Sequence, residues 1–306
     1  LAGFCEEDPA RREEFAGRYP DADVYASFDE VLGSSDPASA ISIATPAETH
    51  GELVRRALEA DRDVLVEKPL CLSVDEGEDL VALARDRGRI LMVGHLLWYH
   101  PAVLKLRELV ADGELGRIQY IYSNRLNLGK IRQSENILWS FAPHDVSVIL
   151  GLLGEMPDGI VAMGGNYLNE SIADVTVSLL TFPSGVRAHV FVSWLHPFKE
   201  QKLVVVGDRR MAVFDDLEET HKLVVYPHSI EWQSRLPVAK KALAEPVELE
   251  MGEPLRAECQ HFLERIEDRG PPRTDGQEAL RVLRVLRACQ DGLERQPHSR
   301  AALVEA

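Results

Sequence analysis

Ala40-Ile41-Ser42-Ile43-Ala44-Thr45-Pro46, Val64-Leu65-Val66-Glu67-Lys68-Pro69 and Ile90-Leu91-Met92-Val93-Gly94-His95 are three short apolar runs, each ending in a polar word. Together they decide the fold. Runs this short, rich in Ile and Val and apolar at consecutive positions, read as strands buried on both faces. Helical stretches separate them. Glu52 to Ala60 carries Leu53, Ala57 and Leu58 on one side. Ser73 caps a stretch that runs to Arg87 and stops at Gly88. Upstream, Leu1 to Cys5 reads as an earlier strand. A helix that Asp8 caps and Pro9 opens follows it and ends before Pro20. Strands alternating with helices predict an α/β, Rossmann-type doubly wound parallel sheet.

The pattern changes near Gly116. Ile118 to Leu126 alternates apolar and polar residues, and a helix is expected from Pro143 to Leu153. Strand-like runs then follow at Ile160–Tyr167, Val175–Phe182, Val186–Leu195, Lys202–Val206, Met211–Phe214 and Leu223–Tyr226. Pro183-Ser184-Gly185 is a turn between two of them. This is the signature of a largely antiparallel open sheet. Helices over Pro254–Asp268 and Gln277–Leu293 close the chain. The expected division is a cofactor domain over residues 1–116 and an α+β domain over residues 117–306.

The 306 residues suffice for two domains. A formal net charge of −16 repels nucleic acid and anionic membrane surfaces. No apolar stretch is long enough for a membrane span. Cys5, Cys71, Cys259 and Cys289 are scattered without a CxxC pair. They read as reduced thiols of a cytoplasmic protein, with no metal site among them.

The polar words carry a resemblance. Ala44-Thr45-Pro46 with His50, Glu67-Lys68-Pro69, Gly94-His95, Pro101-Ala102 and Gly113-Glu114-Leu115-Gly116 occur in that order. The set resembles the Gfo/Idh/MocA oxidoreductases over almost the whole chain. Ligands of an open parallel sheet bind beyond the carboxyl ends of its strands. Thr45, Lys68 and His95 all stand at such ends. The resemblance implies a nicotinamide cofactor there, contacted by Glu6, Thr45, Pro46, His50, Glu67, Lys68 and His95. It also implies a catalytic lysine, Lys68; the proline after it permits a cis bond that would aim the lysine into the cleft. The alternative for Lys68 is a surface lysine after a strand.

His144, in Ser140-Phe141-Ala142-Pro143-His144-Asp145, is the second catalytic candidate. Oxidising a secondary alcohol needs a group to take the hydroxyl proton, and imidazole titrates near neutral pH. Relatives often place an aspartate four residues before this histidine. Here that residue is Ser140, which weakens any Asp–His pair. Asp145 is read as structural, and the competing reading of His144 is a helix cap. Glu6, just after the first strand, is placed to bond adenosine ribose hydroxyls and so favours NAD over NADP. The alternative reading of Glu6 is an exposed loop glutamate beside Glu7 and Asp8.

That acidic residue ordinarily follows the glycine fingerprint by about 20 residues, yet only five residues precede Glu6. The chain, which starts at Leu1, is therefore expected to lack the first strand, the glycine loop and the first helix. As written it would bind cofactor poorly. Leu126 to Arg132, then Asn136, Trp139 and Pro143-His144-Asp145, are similar to a subgroup whose members oxidise carbon 3 of UDP-N-acetylglucosamine or its uronic acid. On that likeness Asn127, Lys130 and Arg132 join Lys68 and His144 as substrate contacts, the two cations holding a diphosphate or carboxylate. Ser193-Trp194-Leu195-His196-Pro197 and Lys199 are expected to end a strand near the cleft. Trp98 and Tyr99 read first as packing. Two other functions stand beside this one: a dehydrogenase of a free polyol such as inositol, and a non-catalytic cofactor-sensing binder. The resemblance also implies a homodimer or homotetramer built through the open sheet.

Overall fold

The computed structural model describes residues 1–34, 39–129, 131–133, 135–169, 171–250 and 252–295. Its packing separates two compact units, Leu1–Gly94 with His261–Gln277, and His95–Gln260 with Glu278–Ala306.

In the first unit the elements run β1 (Gly3–Cys5), α1 (Pro9–Arg18), β2 (Asp23–Tyr25), α2 (Phe28–Leu32), β3 (Ala40–Ile43), α3 (Ala47–Glu59), β4 (Asp63–Glu67), α4 (Val74–Asp86) and β5 (Leu91–Gly94). β1 pairs with β2 in parallel, and β3, β4 and β5 form a parallel three-stranded ladder. Val64 and Val66 in β4, and Met92 and Val93 in β5, are completely buried. Each such side chain contributes about 1.5–3 kcal/mol. Consecutive apolar residues are needed here because helices cover such a sheet on both faces.

A late segment of the chain completes this unit. Thr274 accepts the Val93 N–H at 2.8 Å, and Met92 bridges to Asp275. Asp63, buried at the start of β4, accepts two bonds from Arg269 at 2.6 and 3.0 Å and one from the Ile90 N–H at 2.8 Å.

The second unit begins with a 3-10 turn over Leu96–Tyr99 and α5 (Pro101–Ala111). Both pack against α6, so the packing changes hands at Gly94, ahead of the change in sequence pattern near Gly116. Then come β6 (Ile118–Leu126), α6 (Ile137–Leu153), β7 (Gly159–Gly165), β8 (Val175–Thr181), β9 (Arg187–Ser193), β10 (Glu200–Gly207), β11 (Met211–Asp215) and β12 (Leu223–Tyr226). The chain finishes with β13 (Ser229–Gln233), β14 (Leu236–Lys240), β15 (Glu245–Pro246), α7 (Pro254–Asp268) and α8 (Gly276–Glu294). Eight strands form one sheet in the order β15-β12-β11-β10-β6-β9-β8-β7. All its pairings are antiparallel except β6 with β9.

The helix expected from Pro143 starts earlier, at Ile137. The Asn136 side chain accepts the Trp139 N–H at 3.2 Å, which caps the helix there. Pro143 therefore lies inside α6. Its ring removes one helical hydrogen bond, a loss that burial of the helix on nearly every side offsets. Gly154, at φ 69°, closes α6 in the left-handed conformation that glycine adopts without strain.

Candidate functional site

The carboxyl ends of β3, β4 and β5 are aligned by their pairing, with Ile43 opposite Val66 and Glu67 opposite Gly94. Thr45, Lys68 and His95 follow these ends directly. Ala44, Thr45, Pro46 and Glu67 are exposed, Lys68 is half-buried and His95 is buried. The Lys68–Pro69 bond is cis, and the Glu67 carboxylate accepts the Lys68 N–H at 3.3 Å. Thr45 and Thr49 share a hydroxyl hydrogen bond of 2.7 Å. α3 begins at Ala47 without a side-chain cap; the Thr49 N–H turns back to the Pro46 carbonyl at 2.9 Å, and the positive dipole end of the helix lies beside Thr45. That setting suits an anionic dinucleotide.

His50 stands differently from the other strand-end residues. It is 1% exposed, and its ring nitrogens lie 2.7 Å from the Pro69 carbonyl and 2.9 Å from the Thr45 carbonyl. The side chain ties two strand-end loops together. Glu6 is held locally: it accepts the Asp8 N–H at 3.0 Å and pairs with Arg11 at 3.3 Å. Its carboxylate stays partly open at 19% exposure. Trp98 and Tyr99 are buried, with the Trp98 ring against Gly151, where an added Cβ would lie 1.9 Å from it. They are packing residues.

In the second unit, Ile137 to Leu150 of α6 is buried at every position except Phe141 and His144. These two lie three residues apart, on one face. His144 is thus inside the helix and is not its cap. Its neighbour Asp145 faces β6, where Arg125 donates to it through Nε at 2.9 Å and Nη2 at 3.1 Å. Both partners are buried. Burial alone would pull the Arg125 guanidinium down; the Asp145 carboxylate outweighs it and holds Arg125 above its ordinary value. Asp145 is therefore structural. Sequence reasoning passed over Arg125, whose signal is a charge at an inward-facing strand position between Ser123 and Leu126.

The same end of the large sheet gathers the loop residues. Asn127 donates its N–H to the Ser193 carbonyl at 3.0 Å. Trp194 is completely buried and donates its N–H to the Asp174 carbonyl at 3.0 Å. The His196 Nδ1 lies 2.9 Å from the Phe198 carbonyl. Ile131, Arg132 and Gln133 line a pocket of about 400 Å³, facing Leu168, Asn169, Ile172 and Asp174. Lys130 lies outside the described residues. Asp174, which the sequence left without a role, is 1% exposed and accepts the N–H groups of Tyr167 and Leu168 at 2.7 and 2.8 Å.

Comparison with known proteins adds to this geometry. Residues 1–95 match a family model for oxidoreductases with an NAD-binding Rossmann fold, and residues 103–213 match the GFO/IDH/MocA C-terminal domain. The chain is similar to the UDP-N-acetylglucosamine 3-dehydrogenase of Acidithiobacillus ferrooxidans. The two are 28% identical over 284 residues, covering 92% of this chain and 86% of that protein. A solved structure bearing that enzyme name from the same organism superposes with a TM-score of 0.83 at 27% identity, covering 96% of this chain and 90% of the other. The chain is also similar to the 2,7-anhydro-N-acetylneuraminate hydratase of Escherichia coli, 26% identical over 233 residues, 71% of this chain and 61% of that protein.

Proposed function

The chain belongs to the Gfo/Idh/MocA oxidoreductases, and on that premise we propose that it oxidises the carbon-3 hydroxyl of a UDP-N-acetylhexosamine, or of its uronic acid, with NAD. The observation that carries the redox reading is His144, a half-open imidazole on a helix otherwise buried from Ile137 to Leu150 apart from Phe141. The likeness to a UDP-N-acetylglucosamine 3-dehydrogenase supports the substrate.

Oxidation breaks the C3–H bond and the O–H bond of the same carbinol. The bound nicotinamide supplies the acceptor for the hydride. The hydroxyl proton passes to the His144 imidazole. The Lys68 ammonium donates a hydrogen bond to the same oxygen and stabilises the negative charge that builds on it. Thr45, Pro46, Glu67 and His95 hold the cofactor at the strand ends, and His50 fixes the loops that carry them. Glu6, through its partly open carboxylate, selects NAD over NADP. In this reading residues 1–116 serve the cofactor and residues 117–306 serve substrate and subunit contacts, with Asn127, Lys130 and Arg132 on the substrate.

Subunit contacts fall to the sheet face that α6 leaves open. Tyr122, His189, Leu179 and Val161 form one cross-strand row, and Asn124, Phe191, Val177 and Met163 the next. Val161 is 57% and Met163 63% exposed. An apolar face of this kind marks an association surface, and we assign it to a homodimer or homotetramer.

The test offers the full-length protein NAD together with UDP-N-acetylglucosamine, its uronic acid, free N-acetylglucosamine or myo-inositol, and follows NADH. Turnover confined to the nucleotide sugars supports the proposal. Turnover of inositol alone replaces it with a polyol dehydrogenase. NAD binding without turnover of any sugar replaces it with a cofactor sensor.

A further inference from the structure

Resting on that reading of the substrate and taking it further, we propose that the pocket beside Arg132 seats the uridine diphosphate portion, with Gln133 and Asn169 reading the base. The pocket volume of about 400 Å³ lies in the range of sites for small ligands. Its chemistry divides into three parts. Ile131, Leu168 and Ile172 give apolar surface for the faces of a flat ring.

Arg132 supplies the cation. Its Nε lies 3.5 Å from the Glu135 carboxylate, which steadies the guanidinium. Among the described residues its two Nη groups meet no other partner, and they match a phosphate fork. On a chain of net charge −16 a diphosphate needs such a local cation.

The amides complete the set. The Asn169 Oδ1 already accepts from the N–H and the hydroxyl of Ser171, at 2.9 and 3.0 Å. That fixes the orientation of the amide and leaves Nδ2 as a donor. Gln133 is exposed and brings one donor and one acceptor. A uracil edge presents acceptor, donor, acceptor; Asn169 Nδ2 and the Gln133 amide present donor, acceptor, donor. The Asp174 carboxylate, whose Oδ2 already accepts from Tyr167 and Leu168, suits a ribose hydroxyl through its other oxygen and not a phosphate.

The spacing within this unit also agrees. From the helix cap Asn136, next to the pocket segment, to His144 is eight residues (144 − 136), roughly 12 Å at 1.5 Å per residue. That is the order of the reach from a sugar carbon through a diphosphate to its base.

Calorimetric titration of the full-length protein with UDP, CDP and ADP tests the assignment without relying on turnover. UDP is expected to bind in preference to the other two. Arg132→Ala should weaken UDP binding about tenfold or more, and Gln133→Ala should bring UDP and CDP together. Both side chains are exposed, so neither variant should alter the melting temperature. Failure of the wild type to bind UDP, or equal binding by Arg132→Ala, overturns the proposal. UDP binding that depends on Arg132 but without NADH formation keeps the pocket and rejects the redox reading. Turnover of UDP-N-acetylglucosamine at unchanged KM in Arg132→Ala keeps the redox reading and rejects the pocket.

Discussion

Replacing Asp145 with Asn would take from the buried Arg125 guanidinium the carboxylate bonded to it directly, leaving Asp216 as the nearby negative charge. Arg125 sits at 8% and Asp145 at 2% side-chain exposure, so solvent cannot take over the charge. The pair makes two short parallel hydrogen bonds. Breaking a buried pair from one side costs about 3–5 kcal/mol, a large share of the 5–15 kcal/mol that typically holds a domain together. At about 2–4 °C per kcal/mol for a unit of this size, the melting temperature of the second unit should fall by about 6–20 °C. Scanning calorimetry of wild type, Asp145→Asn, Arg125→Met and Arg125→Met/Asp145→Leu measures this. The double variant should recover most of the loss, because an apolar pair of similar size has no desolvated charge to satisfy. A loss below about 1 kcal/mol for Asp145→Asn, the value of a surface pair, would contradict a desolvated ion pair at this position. So would a double variant no more stable than either single one.

Acid should destabilise the fold before its carboxylates titrate. Burial lowers the pKa of His100, His189 and His261, and the His100 Nδ1 accepts the Ala102 N–H at 3.1 Å, which requires it unprotonated. As the pH falls through about 6.5 the unfolded chain takes up protons that the folded chain refuses, so stability is full above that value and declines below it. Melting curves at constant ionic strength check this, and a melting temperature that holds or rises on acidification contradicts it. The four thiols should separate by reactivity: burial pushes Cys71 up to about 12 and Cys289 up to about 11, whereas Cys5 and Cys259 are exposed. Native alkylation followed by peptide mass analysis should label only the exposed two; modification of Cys71 without unfolding counts against the buried placement.

What the sequence made legible was local. The consecutive apolar residues Val64-Leu65-Val66 read as a doubly covered strand, and the polar words after each run marked the strand ends. Pro143 misled, because a proline commonly opens a helix; the Asn136 cap seven residues earlier is the stronger signal. The rest depends on partners far apart in the chain. Asp63 and Arg269 are separated by 206 residues, and the strip around Thr274 that completes the β5 edge lies between the two helices that close the chain. His50 looked like a cofactor contact because it follows Thr45-Pro46. Its partner is the Pro69 carbonyl, 19 residues on, which no local pattern announces. The pocket beside Arg132 joins two loops that share no periodicity, so Asn169 and Ile172 carried no signal.

The most direct measurement uses UDP-N-acetylglucosamine carrying deuterium at carbon 3, with NAD and the full-length protein, and locates the label by NMR. Deuterium is expected on carbon 4 of the reduced nicotinamide. Turnover should be slowed about 10²–10⁴-fold in His144→Ala and by a comparable factor in Lys68→Ala, with NAD binding largely kept in both. Label remaining on the sugar while NADH forms, or full turnover without Lys68 and His144, would contradict it.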